Sequence, residues 1–131
     1  MKGSEKNEIS TKSKRVRISS SKWKLGLEKE IGFSPVEMLV ASVGACGAYV
    51  YEKILTNSHI DFTIDSVDIS YERAENKPTK PLSQVTILFT VQVPEEAQGK
   101  AERALKLISK NCPVIQSLDP EIAVVETVHF L

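Results

Sequence analysis

The sequence predicts an α+β domain with element order β-β-α-β-β-α-β. Three observations carry this. Period-two alternation flanks a long, almost uncharged helical run. A capping signature opens that run. A second amphipathic helix is followed by a β-branched closing segment.

The 131 residues suit one domain, residues 1–131, with a hydrophobic fraction of 41% and a charged fraction of 26%. Residues 1–13 are polar and read as a tail. Val16 and Ile18 alternate with Arg15 and Arg17, which reads as a first strand. Trp23, Leu25 and Leu27 alternate with Lys22, Lys24, Gly26 and Glu28, which reads as a second. Ser19-Ser20-Ser21 allows a hairpin between them.

Ser34-Pro35-Val36-Glu37 starts the first helix. Serine suits the N-cap, proline the first helical position, and a glutamate three residues on completes a capping box. The helix is expected to run to about Asn57. Leu39, Val43 and Val50 share a face with Cys46, while Val40, Tyr51 and Leu55 lie on the far side. A helix apolar nearly all round is covered on more than one side. A domain this small implies its own sheet on one side and a second subunit on the other.

Residues 60–75 alternate, with a phase shift near Ser66 that predicts a long strand with a bulge. Residues 76–81 carry two prolines and form a loop. Residues 85–93 are β-branched and aromatic, a strand pairing antiparallel with the previous one. Residues 95–110 form the second helix, broken at Asn111-Cys112-Pro113 and followed by a short helical turn through Leu118. Residues 121–131 close the chain as a strand, with His129 out of phase with Val128 and Phe130 and solvent-facing.

Lys plus Arg equal Asp plus Glu, 17 against 17, which gives no electrostatic case for nucleic acid or membrane. The uncharged run from Met38 to Tyr51 is short for a bilayer span, and no leader-like segment opens the chain. The expected location is cytoplasmic, where a cysteine pair is inert, metal-binding or redox-active rather than a permanent crosslink. Cys46, Cys112, His59 and His129 show no metal-ligand spacing, so no metal site is expected. The basic segment Lys12-Ser13-Lys14-Arg15-Val16-Arg17 reads as a solvated strand face.

Cys46 sits in Gly44-Ala45-Cys46-Gly47-Ala48. A cysteine in an apolar helix often simply packs. The small neighbours cost helix propensity and fit a close approach of a ligand, backbone or another helix. With Asn111 as N-cap and Pro113 after it, Cys112 is expected at a helix N-terminus, which favours thiolate.

Ser34-Pro35-Val36-Glu37-Met38-Leu39, then Gly44-Ala45-Cys46, then Cys112-Pro113-Val114 resemble the OsmC/Ohr family of thiol peroxidases over about residues 15–131. The resemblance implies an intertwined homodimer with the cysteine helices packed between two sheets. It implies an oxidative-stress enzyme, a cysteine-dependent peroxidase that reduces organic hydroperoxides. Cys46 would be peroxidatic and Cys112 resolving, with an external thiol or dithiol as reductant and no bound cofactor. The family's supporting glutamate and arginine map onto Glu37 and onto Arg15 or Arg17. Glu37 stands nine residues before Cys46, one position closer than the family pattern, and so points about 180° from it. That position reads as a helix cap. Lys22, Lys24 and Lys29 stand where an arginine would approach the helix. The contrasting expectation is a non-catalytic dimer of the same fold that binds a small lipophilic ligand or senses thiol redox state.

Overall fold

The long helix begins where its capping signature places it. In a computed structural model describing residues 8–10, 15–19 and 34–131, α1 runs Pro35–Asn57 with Ser34 as N-cap. The Ser34 hydroxyl accepts from the Glu37 amide at 3.1 Å, and the Glu37 carboxylate accepts from the Ser34 amide at 3.0 Å. Two orphan amides of the first turn are thereby satisfied. The helix ends at Ser58, and His59 adopts a left-handed φ of 60°. Its length and composition alone would let α1 cross a membrane, but half of that stretch is buried within the fold, as in the core helix of a soluble protein.

Among the described residues one five-stranded sheet has the order β1-β2-β3-β4-β5. The strands are β1 (Glu8–Ser10), β2 (Arg15–Ser19), β3 (Thr63–Arg73), β4 (Leu82–Gln92) and β5 (Ala123–Phe130). The first four pair antiparallel in sequence order, and β5 joins parallel to β4. Within the segment expected to be a tail, Glu8–Ser10 pairs with β2. The strand expected around Trp23, Leu25 and Leu27, with the hairpin before it, lies outside the described residues. The predicted bulge is real: the β3–β4 register shifts between Ile64 and Ser66, leaving Asp65 as the extra residue.

The second helical region is less regular than the expected single helix. A 3-10 turn (Glu95–Ala97) leads into α2 (Gln98–Arg103), a 3-10 stretch (Ala104–Leu107), α3 (Ile108–Asn111) and α4 (Pro113–Gln116). The tightening follows the point where the Tyr51 hydroxyl donates to the Ala101 carbonyl at 2.8 Å. A side chain that engages a helix carbonyl perturbs the ladder there. The break at Cys112 has a plainer cause, because Pro113 excludes the helical conformation from the residue before it. Cys112 is extended, with φ −102° and ψ 110°.

All helices lie on one face of the sheet. Val67, Ile69, Val85, Ile87, Phe89 and Val91 are fully buried on that face, while Thr86, Leu88 and Thr90 alternate with them. Val40, Tyr51 and Leu55 of α1 are fully buried, as the helical phase predicted. The Tyr51 ring packs on Phe89 with centroids 4.9 Å apart. Burial first, and the Glu102 charge second, push the Tyr51 phenol well above the usual tyrosine range, so it remains a donor. Val43, grouped with Cys46 by phase, is also fully buried. Leu39, Cys46 and Val50 do face outward.

The small residues around Cys46 serve helix–sheet packing. A Cβ on Gly44 would collide with Cγ1 and Cδ1 of Ile69, itself fully buried. A Cβ on Gly47 would meet Ile87, Phe89 and Ile108 at 3.4–3.8 Å, ordinary contact. The two positions should therefore respond oppositely to alanine. Gly47→Ala gains helix propensity and should stabilise by up to about 1 kcal/mol. Gly44→Ala forces Ile69 to move in a packed core and should destabilise by about 1–2 kcal/mol net. Urea unfolding of both variants checks this, and equal effects would mean that α1 does not depend on close approach at Gly44.

Candidate functional site

Cys46 and Cys112 come from distant parts of the chain and meet in space. Cys46 projects from the middle of α1 and is partly exposed. Cys112, fully buried, lies at the break between α3 and α4. Both thiols are free, and they are near enough for Cys46 to influence the ionisation of Cys112. Pro113 makes this possible: the kink it imposes turns the chain so that α4 lies against α1.

The expectation for the Cys112 environment is corrected. Cys112 is itself the N-cap of the four-residue α4, without a side-chain capping hydrogen bond. Burial pushes its thiol up from 9.0 to about 11, and the hydrogen bond to Cys46 and the Cys46 charge act in the same direction. The Ile115 and Val114 amides pull the other way and are outweighed. Desolvation defeats the helix-end effect here, because a one-turn helix offers little dipole and the apolar surroundings penalise the thiolate. Cys112 is a neutral thiol at pH 7.

Glu37 is where the nine-residue offset predicts, away from Cys46 and engaged in the cap. The residue is 1% exposed. One oxygen holds the Ser34 amide, and the other, Oε2, has no hydrogen-bond partner among the described residues. Tyr71 lies close by: burial raises its pKa first, the Glu37 charge adds to this, and Arg73 opposes it. Arg15 and Arg17 are placed by register opposite Ser70 and Asp68. Those positions alternate with Val67 and Ile69, the residues of β3 buried on the helix-covered face. Lys22, Lys24 and Lys29 lie outside the described residues. No cluster of metal-ligating side chains occurs among the described residues. His59 and His129 are exposed.

The chain also forms a pocket that the sequence did not announce. Val50, Lys53, Ile54, Asn57 and Asn111 line a cavity of about 310 Å³. Val50 follows Cys46 by one helical turn, and Asn111 adjoins Cys112, so the cavity flanks the thiol pair. Lys53 and Asn57 carry helical phase from Cys46 in the sequence, but Asn111 joins them only through the packing of α3 on α1.

Two measurements follow. In Cys112 the folded-state value lies above the unfolded one, so its contribution to stability is intact below about pH 9 and is lost as pH rises towards about 11. Alkaline unfolding curves should show a fall on the order of 2 kcal/mol across that window, absent from Cys112→Ser. At the helix start, Ser34→Ala should cost about 1 kcal/mol. Glu37→Gln, which can still complete the box, should stay within about 1 kcal/mol of the parent and leave Cys46 alkylation unchanged. Slower alkylation in a normally stable Glu37→Gln protein would tie Glu37 to the thiol instead.

The geometry has relatives. A protein-family model described as OsmC-like protein matches residues 26–127, most of the chain. No curated protein sequence matches. Among solved structures, a hypothetical protein from Aquifex aeolicus is similar at 23% identity and TM-score 0.60, covering 96% of this chain and 93% of its own. An OsmC-like protein from Mycoplasma pneumoniae is similar at 16% identity and TM-score 0.59, covering 80% of this chain and 78% of its own. The organic hydroperoxide resistance protein OhrB of Bacillus subtilis is similar at 17% identity and TM-score 0.53, covering 75% of this chain and 71% of its own. At these identities the structures establish a common fold. The family match spans both cysteines, and the chain belongs to the OsmC-like protein family.

Proposed function

We propose that this protein reduces organic hydroperoxides with a thiol pair, Cys46 attacking the peroxide and Cys112 resolving the product to a disulfide. The observation that carries the reading is that the two free thiols are neighbours, one partly exposed and one buried. Family membership supports a peroxide-resistance or redox role, and one relative of the fold is named for organic hydroperoxide resistance. In the reaction, the Cys46 sulfur attacks the distal peroxide oxygen, the O–O bond breaks, and an alcohol leaves. The resulting sulfenic acid condenses with Cys112, forming S–S and releasing water. An adjacent resolving thiol keeps the sulfenic acid from climbing to irreversible oxidation states. An external thiol or dithiol then reduces the disulfide by exchange.

The working unit in this reading is a homodimer. Met38, Leu39 and Tyr49 on the outward side of α1 are 39%, 42% and 48% exposed, and Cys46 and Val50 share that side. An apolar helix face of this extent calls for a covering surface. A second copy of α1 would cover it and would close the Val50–Ile54 wall beside the thiols, favouring an organic peroxide over hydrogen peroxide. A reducing, cytoplasmic setting belongs to the same reading, since the pair must return to free thiols.

Reduced protein treated with one equivalent of cumene hydroperoxide and then alkylated under denaturing conditions should lose two hydrogen atoms, with a Cys46–Cys112 linkage in the digest. Cys46→Ser should abolish peroxide consumption and keep the fold. Cys112→Ser should turn over once and then overoxidise at Cys46. Two thiols still alkylated after long exposure would reject the peroxidase and leave a lipophilic-ligand binder or thiol sensor of the same fold.

A further inference from the structure

The stripe of α1 that carries Cys46 continues past it into a cavity. Val50, Lys53, Ile54 and Asn57 follow at the three- and four-residue spacing that keeps side chains on one side of a helix. With Asn111 of α3 on the opposite wall they line about 310 Å³, the size at which pockets begin to hold small organic molecules. The lining is divided by chemistry. Val50 and Ile54 are half-buried and apolar, while Lys53, Asn57 and Asn111 are exposed and polar. None of the five is acidic. Among the described residues Lys53 forms no ion pair. Glu52 precedes it, but adjacent helical residues point apart, and Glu52 borders the neighbouring hollow with Tyr49 and Phe62. The Asn111 amide gives one N–H to the Leu107 carbonyl at 2.8 Å and keeps the second. The Ile54, Leu55 and Thr56 carbonyls at the end of α1 accept from the Ser58, His59 and Ile60 amides, so these acceptors are not left bare beside the cavity.

We propose that this cavity recognises an organic carboxylate, with Lys53 pairing with the charged group, Asn57 and Asn111 donating to it, and Val50 and Ile54 holding the apolar body. One ammonium matches one negative charge, and two carboxamides supply N–H groups for the remaining lone pairs of a planar carboxylate. The position of the anchor sets the length of the ligand. Lys53 stands seven residues after Cys46, about 10 Å along the helix axis, with Val50 between them. A ligand held at Lys53 runs over Val50 and presents its other end to the Cys46 sulfur. Binding of the anion stands apart from the peroxidase reading; delivery of a reacting group to Cys46 rests on it. Two reagents meet Cys46 in that reaction, the hydroperoxide and the reducing thiol, and either can carry the carboxylate. Both would use the same anchor.

The test is a calorimetric titration of the reduced protein with 4-phenylbutyrate and with 4-phenylbutyramide, two molecules of one shape that differ in charge. The acid should bind about tenfold more tightly, and added salt should narrow the difference. Lys53→Gln should bring the acid down to the level of the amide, and Lys53→Arg, which keeps the charge, should restore most of the preference. Lys53 is exposed, so neither change disturbs the core. Equal affinities for acid and amide, or a preference for the acid that survives Lys53→Gln, would overturn the site. The same titration of the disulfide form separates the two sources, since a ligand favours the state it binds more tightly. Tighter binding to the reduced protein assigns the carboxylate to the hydroperoxide, and tighter binding to the disulfide form assigns it to the reducing thiol. A protein that binds the acid through Lys53 but forms no Cys46–Cys112 disulfide with cumene hydroperoxide would keep the site and reject the peroxidase.

Discussion

The structure depends on how closely α1 lies on the sheet. Gly44 leaves no side chain between the helix and Ile69, where a Cβ would collide, whereas Gly47 faces Ile87, Phe89 and Ile108 with room for one. Gly44 gives up about 1 kcal/mol of helix propensity. The return is a helix buried along one side for its full length, with Val40, Tyr51 and Leu55 inaccessible to solvent. With that side fixed, the rotation of α1 about its axis is fixed too. Cys46 then has only one place to point: along the seam between α1 and the second helical region.

The second half of the site follows from a proline. Pro113 ends α3 and swings α4 back against α1, carrying Cys112 to the seam. The Tyr51 hydroxyl on Ala101 ties the same two regions together further along. The thiol pair is therefore positioned by two rigid attachments on either side of it rather than by a loop. That arrangement suits chemistry in which two sulfurs must come to bonding distance with little motion.

Burial sets the two sulfurs apart. The Cys112 sequence context, a cysteine before proline at a helix start, argues for a reactive thiolate. The packed environment reverses that, because the dipole of a single turn is small beside the cost of ionising a sulfur enclosed by aliphatic side chains. The more open Cys46 is left as the sulfur that a reagent in solution can reach. Glu37 shows the same dependence on position: one residue of offset along the helix turns it from the thiol to the cap, where its amide and carboxylate complete a reciprocal pair with Ser34.

Local chemistry wrote much of this fold openly. The Ser34-Pro35-Val36-Glu37 cap fixed the start of α1, the phase shift at Ser66 marked the bulge, and Pro113 marked the break, because each is a backbone constraint imposed by neighbouring residues. The outward side of α1 was legible from helical phase, apart from Val43, which sits near enough to the sheet to be covered. The parallel join of β5 to β4 was not legible, since alternation gives a strand its faces but not its neighbour. Nor was the Val50–Lys53–Asn111 pocket, which exists only where two helices meet. By itself the sequence determined the elements, their ends and the two cysteines worth watching. Tertiary structure alone decided that those cysteines are neighbours and that Cys112 is enclosed while Cys46 is partly open, because proximity and desolvation are properties of the packed chain and not of any stretch of it.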